Sequence, residues 1–221
     1  MQVDVNFKIL KNNFPRLKEI FFKQSLDKIA FIRYCVEKST IRSFHSSKGY
    51  VKIYKPLSIF RVWAFNFLSD NNNIDKLKAR GNFIEIRKLA LAGLKSYWTL
   101  TDGGTPEFYH FNKLIDLFFK FLPLWNELDN KTKEWVFKNT NVPLDKFSLD
   151  LLRRWSSKST ILKGVSMNYG DKTNYNKFQK EIKQICRNIP VIVFDLYAWE
   201  TSHPPKEKFE LIKLDKKKNS R

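Results

Sequence analysis

Glycine is scarce in this chain, with 7 in 221 residues. All-β and Rossmann-type folds rely on glycine-rich turns, so both fit poorly, whereas a helical protein needs few glycines. Cysteine is scarcer still. Cys35 and Cys186 have no C-x-x-C spacing, and only three histidines accompany them. No metal site and no small-molecule cofactor are implied. The two thiols are expected to be reduced and buried. No apolar run approaches the roughly 20 residues that a membrane-spanning helix needs. The opening MQVDVNFKIL carries Asp4 and no long apolar core, so it does not read as a signal peptide, and a cytoplasmic protein is expected. Acidic residues are also short: 22 Asp and Glu face 41 Lys and Arg, a formal charge of +19. Such an excess repels itself unless a polyanion relieves it, and nucleic acid is the usual polyanion.

What the chain has in plenty is apolar and aromatic material. The 20 Phe and 6 Trp supply enough bulk for a packed core. Apolar residues recur at threes and fours through most of the chain, the period of an amphipathic helix. Leu17, Ile20 and Phe21 start one such run. Phe60, Trp63, Ala64 and Phe67 mark another after Pro56. Residues 82–98 carry the clearest pattern, from Ile86 through Leu94 to Tyr97. Further helices are predicted over about 108–121, near 130–139, after Asp145, and around Tyr175, Phe178, Ile182 and Ile185. The alternating VDVNFKI (3–9) suggests a short strand or extended arm. SDNNNID (69–75) reads as a loop, 156–173 as a long polar connection, and VIVFDLYAWE (191–200) as strand or helix. The sum is an all-α fold, one domain over 1–205, with two helical lobes sharing a cleft. Residues 206–221 read as a basic, disordered tail.

NVPLDKFSLDLLRRW, from Asn141, is the most informative stretch. Pro143 sets the approach and Asp145 stands at a helix N-cap, where its carboxylate can accept a backbone N–H. Leu144 before the cap and Leu149 after it form a hydrophobic staple. A structural role alone explains this aspartate. Three pieces taken in order suggest more. HFNKLIDLFFKFL sets Lys113 near a helix start, behind Gly103 and Gly104. Asp145 follows 32 positions later. A basic amphipathic helix then leads through Ile189 and Pro190 to Asp195 and Trp199, four apart.

This order resembles the archaeal 8-oxoguanine DNA glycosylases, a divergent branch of the helix-hairpin-helix DNA glycosylase superfamily. The resemblance covers roughly 108–203. The Leu-x-Gly-Val-Gly hairpin of the wider superfamily is absent, and LTDGGTPEFYHFNK stands in its place. The resemblance implies a monomeric enzyme that flips a modified base from double-stranded DNA and excises it. The base is 8-oxoguanine-like or otherwise modified or hypermodified, and the use is repair or phage defence. Lys113 would be the nucleophile, with Lys120 as the alternative, and Asp145 would take a proton or stabilise positive charge on the sugar. An AP-lyase step would follow from the Schiff base. Trp199 would stack on the base and Asp195 would bond its edge. The basic residues Arg153, Arg154, Lys158 and Lys163, with the Gly103–Gly104 loop, would meet the DNA backbone. A non-catalytic helical DNA- or RNA-binding protein explains the charge without any of this chemistry.

Overall fold

The computed structural model describes residues 2–38, 56–99, 108–156 and 172–203. All regular structure among them is helical, so the all-α expectation holds. Ten α-helices follow in chain order: α1 (Gln2–Phe22), α2 (Lys28–Lys38), α3 (Pro56–Ser69), α4 (Asn71–Lys78), α5 (Phe83–Thr99), α6 (Phe108–Phe121), α7 (Asn130–Asn139), α8 (Lys146–Trp155), α9 (Lys172–Cys186) and α10 (Ile192–Ser202). A 3₁₀ turn, Leu122–Leu124, ends α6. No described helix is long and apolar enough to cross a membrane.

Two local expectations need correction. Residues 3–9 are helix, not strand or arm. Val5 of the alternating run is exposed, while Leu10, Leu17 and Phe21 are buried at helical spacing. The buried Asn6 amide donates to the Trp155 carbonyl, 3.1 Å away, which anchors the first turns of α1 on α8. Residues 71–75, expected as loop, begin α4. Asp70 is its N-cap and accepts from the Asn72 N–H at 2.9 Å. Tertiary packing of Ile74 and Leu77 recruits a polar stretch whose own propensity is weak. The ambiguous 191–200 stretch resolves as helix α10.

Helix α6 lies at the centre. It packs against α2, α5, α7 and α9, and its Leu114, Ile115, Phe118 and Phe119 are fully buried. Around Phe118, edge-to-face contacts gather Trp63 at 4.9 Å, Phe67 at 5.4 Å and Phe31 at 5.5 Å between ring centres. Gly93 lets α5 come close to α3, because a Cβ there would stand 3.1 Å from the Trp63 indole nitrogen. The loop after α1 is clipped to the end of α6 by two backbone bonds, Leu26 N–H to Leu124 and Asn126 N–H to Leu26, both 2.8 Å. Helix α1 crosses to the other end of the chain and packs on α8, α9 and α10. Cys35 and Cys186 are buried free thiols.

Candidate functional site

The site grows from the start of α8. Asp145 is the N-cap in extended conformation, and its Oδ1 accepts from the Ser148 N–H at 2.9 Å. Leu144 and Leu149 are both buried, as a staple requires. The segment before the cap is held by a side chain that sequence reasoning missed. The Gln179 amide of α9 pairs with both backbone groups of Val142. Its Nε2 donates to the carbonyl at 2.7 Å and its Oε1 accepts the N–H at 3.1 Å. A polar network braces the same region. Arg87 donates to Asp116 (2.9 Å), Asn112 (2.8 Å) and the Tyr175 hydroxyl (2.8 Å). That hydroxyl donates to Asp116 at 2.7 Å and accepts from Asn141 at 2.9 Å. Every lone pair and proton of the tyrosine hydroxyl is therefore used.

Helix α6 delivers two lysines to this place. Lys113 and Lys120 are seven residues apart, about two turns, and so share a face. Lys120 is buried and donates to Asp195 Oδ2 at 2.5 Å. The other oxygen of Asp195 accepts from the Ser148 hydroxyl at 2.7 Å. Ser148 thus joins Asp145, through its N–H, to Asp195, through its hydroxyl. Asp195 itself is 2 % exposed, with both oxygens taken by protein donors. It bonds Lys120 and Ser148, and its position inside α10 means it does not cap that helix, whose N-cap is Val191.

Lys113 is different. It is half-buried, and among the described residues it makes no ion pair or hydrogen bond. Burial lowers its pKa, against the opposing charges of Asp145 and Asp195. Asp145 moves the other way. Burial, and then the Asp195 charge, raise its pKa, while the Ser148 N–H, Lys113 and Lys120 resist. The Ser148 N–H favours an ionised Asp145, and burial outweighs it. The two shifts bring the proton affinities of the Lys113 ammonium and the Asp145 carboxylate closer together. Next to Lys113, His110 is pushed down to about 4 by burial and by the lysine charge, so it is neutral at pH 7.

The remaining sequence-predicted residues are dispersed. Trp199 is partly exposed, one turn beyond Asp195, and its ring centre lies 3.9 Å from that of His203 with the planes tilted by 31°. Arg153 and Arg154 are exposed on α8 and both bond to Asp150, at 2.8 Å through its carboxylate and 3.3 Å through its carbonyl. Gly103, Gly104, Lys158 and Lys163 lie outside the described residues, as does the tail. A shallow groove of about 590 Å³ between α4 and α5 shares no residue with the lysine–aspartate cluster. Among the described residues no group of three or more His, Cys, Asp or Glu side chains could hold a metal ion.

Compared with known proteins, the chain matches no family model, no curated protein and no solved structure.

Proposed function

We propose that the protein is a DNA N-glycosylase with AP-lyase activity that excises a modified base from duplex DNA. The observation that carries this reading is the half-buried Lys113, its ammonium disfavoured by burial, beside an Asp145 whose proton affinity is raised. A neutral amine is what attack on C1′ of a nucleotide requires. The base leaves with the electrons of the glycosidic bond as the C1′–N bond to Lys113 forms. Asp145 accepts the proton that the lysine sheds. Opening of the sugar yields a Schiff base, and loss of a C2′ proton expels the 3′ phosphate and cuts the strand. Lys120 is the poorer nucleophile, because its amine is committed to Asp195 at 2.5 Å. Asp195 acts through its charge on Lys113 and Asp145, and contact with the base edge passes to other groups. The +19 charge favours a polyanionic substrate.

Borohydride reduces a Schiff base to a stable protein–DNA adduct. Duplexes bearing 8-oxoguanine, uracil, a modified cytosine or an abasic site form the test panel. The expected result is an adduct on at least one duplex, lost in Lys113→Ala and kept in Arg153→Ala. Base release without an adduct leaves a glycosylase that uses water. Neither adduct nor release, with tight salt-sensitive binding, replaces the enzyme by a helical DNA-binding protein. Preference for folded RNA moves the partner to RNA.

A further inference from the structure

The two side chains that carry the proposed chemistry stand on helices that do not pack closely on each other. Lys113 lies on α6 and Asp145 caps α8, and neither α8 nor α10 is among the helices packed closely on α6. Two side-chain ties join them instead, one on each side of Asp145. The first comes before the cap. Asn141, four residues before Asp145, donates to the Tyr175 hydroxyl at 2.9 Å, and that hydroxyl donates to Asp116 of α6 at 2.7 Å. The second comes after the cap. Ser148, three residues beyond Asp145, donates through its hydroxyl to Asp195 Oδ1 at 2.7 Å, and Lys120 of α6 donates to Oδ2 at 2.5 Å. Asp195 belongs to α10, so this second tie gathers three helices on one carboxylate.

A buried charge in α10 calls for a reason, because the other buried residues of that helix are Ile192, Val193, Phe194, Leu196 and Ala198. Fold stability does not supply one, since apolar side chains of similar volume often replace a buried ion pair without loss. Geometry does. Helices α8 and α10 pack on each other, and with the Tyr175 tie alone they could swing together about Asn141 and carry Asp145 with them. A second point of attachment to α6 removes that freedom. We infer that Asp195 is a positioning residue, and that with Lys120 and Ser148 it forms a clip fixing Asp145 at its working distance from Lys113. The inference rests on the glycosylase reading for the reaction that the clip serves. Asp195 touches no reacting atom in this role. Ser148 is the joint, because its N–H caps onto Asp145 while its hydroxyl holds Asp195. The charge of Asp195 raises the proton affinity of both Lys113 and Asp145, and the clip holds fixed the spacing over which that charge acts.

The test uses the full chain and breaks the clip without stranding a charge. Lys120→Met combined with Asp195→Asn removes the link to α6 and keeps an acceptor for the Ser148 hydroxyl. The first readout is single-turnover base release on the duplex that gives an adduct with the parent. The double variant is expected to bind that duplex like the parent and to release base about 10²-fold more slowly, the loss that a displacement of about 1 Å brings. The second readout needs no DNA. The pH dependence of acetic anhydride labelling at Lys113, read on its peptide by mass spectrometry, gives the pKa of that amine. Asp145→Asn removes a negative charge that raises this pKa, so a drop is expected in the parent background. The size of the drop measures how near the carboxylate stands. In the double-variant background the drop is expected to shrink. A drop of the same size in both backgrounds overturns the clip, as does base release at the parent rate. A smaller drop, with neither adduct nor release from the parent on any duplex, keeps the clip and removes the glycosylase chemistry. Ser148→Ala opens the α8 end of the clip and leaves the N–H that caps onto Asp145. It is expected to move both readouts in the same direction, and Ser148→Thr, which restores a hydroxyl, to reverse them. Should the double variant fail to fold in urea titration, this pair decides, and an alanine variant equal to the parent in both readouts overturns the clip.

Discussion

At Asp145 two demands meet in one side chain. The carboxylate caps α8 through the Ser148 N–H, yet burial and the Asp195 charge raise its pKa. Asparagine caps a helix about as well as aspartate and carries no charge. Asp145→Asn is therefore expected to match or exceed the parent in thermal stability at pH 7 while losing base release. For the parent, a raised carboxyl pKa means that the folded state binds more protons between 3.8 and its folded value. Ionisation of Asp145 thus costs stability as pH rises through that window, and the advantage of the asparagine shrinks as pH falls through it. His110 has the opposite sign. Its folded pKa of about 4 lies below the ordinary 6.5, so the unfolded chain binds more protons between the two. Stability is expected to fall by up to about 3 kcal/mol as pH drops through this window. Urea unfolding at pH 7 and pH 4, with His110→Gln as the variant of flattened slope, checks it. Lys120→Met leaves Asp195 buried without its cation, at an expected cost of about 3–5 kcal/mol. Adding Asp195→Asn is expected to recover much of that loss, since an amide keeps an acceptor for Ser148.

Among the elements, α6 and α9 decide whether the site exists. Helix α6 sets Lys113 and Lys120 on one face, and α9 holds the approach to Asp145 through Gln179 and Tyr175. Tyr175→Phe strips a partner from Asp116, Arg87 and Asn141 at once. The expected cost is about 1–3 kcal/mol in urea unfolding. Both parts of this arrangement differ in how far they could be foreseen. The α8 start was legible, because a proline, an acid and a following amphipathic run act within one turn. The α9 clamp was not. A glutamine on a helix carries no sign of which distant carbonyl it will meet, and Val142 lies 37 residues away. The misreading of 3–9 has the same origin. Seven alternating residues fit a strand locally, and only the contact of Asn6 with α8 and the burial of Leu10 settle them as helix.

Across the whole molecule, charge dominates. With 41 cations and 22 acids the chain carries a formal charge of +19, and under the proposed function it would meet duplex DNA through counterion release. If it neutralises about 6–10 phosphates, its affinity for duplex falls by about 10³–10⁵ between 50 and 200 mM salt. Fluorescence anisotropy at four salt concentrations reads the slope. If Arg153 or Arg154 meets a phosphate, replacing it is expected to lower the slope by about 1 without changing base preference. A slope near zero would remove nucleic acid as the partner. Inside, Phe118 and its aromatic neighbours fill the space between α2, α3 and α6, and the buried charges are paired, Lys120 with Asp195 and Arg87 with Asp116.

The sequence by itself determined the helical class, most helix positions, the cap at Asp145 and the sign of the molecule's charge. Each of these follows from residues close together in the chain or from simple addition over it. Only the tertiary structure decided that Lys120 closes on Asp195 across 75 residues and leaves Lys113 without a partner among the described residues. It also decided that burial overrides the cap in setting the proton affinity of Asp145, and that His203 lies on Trp199. Desolvation and through-space charge depend on what surrounds a group in three dimensions, and residue spacing along a chain carries little of that.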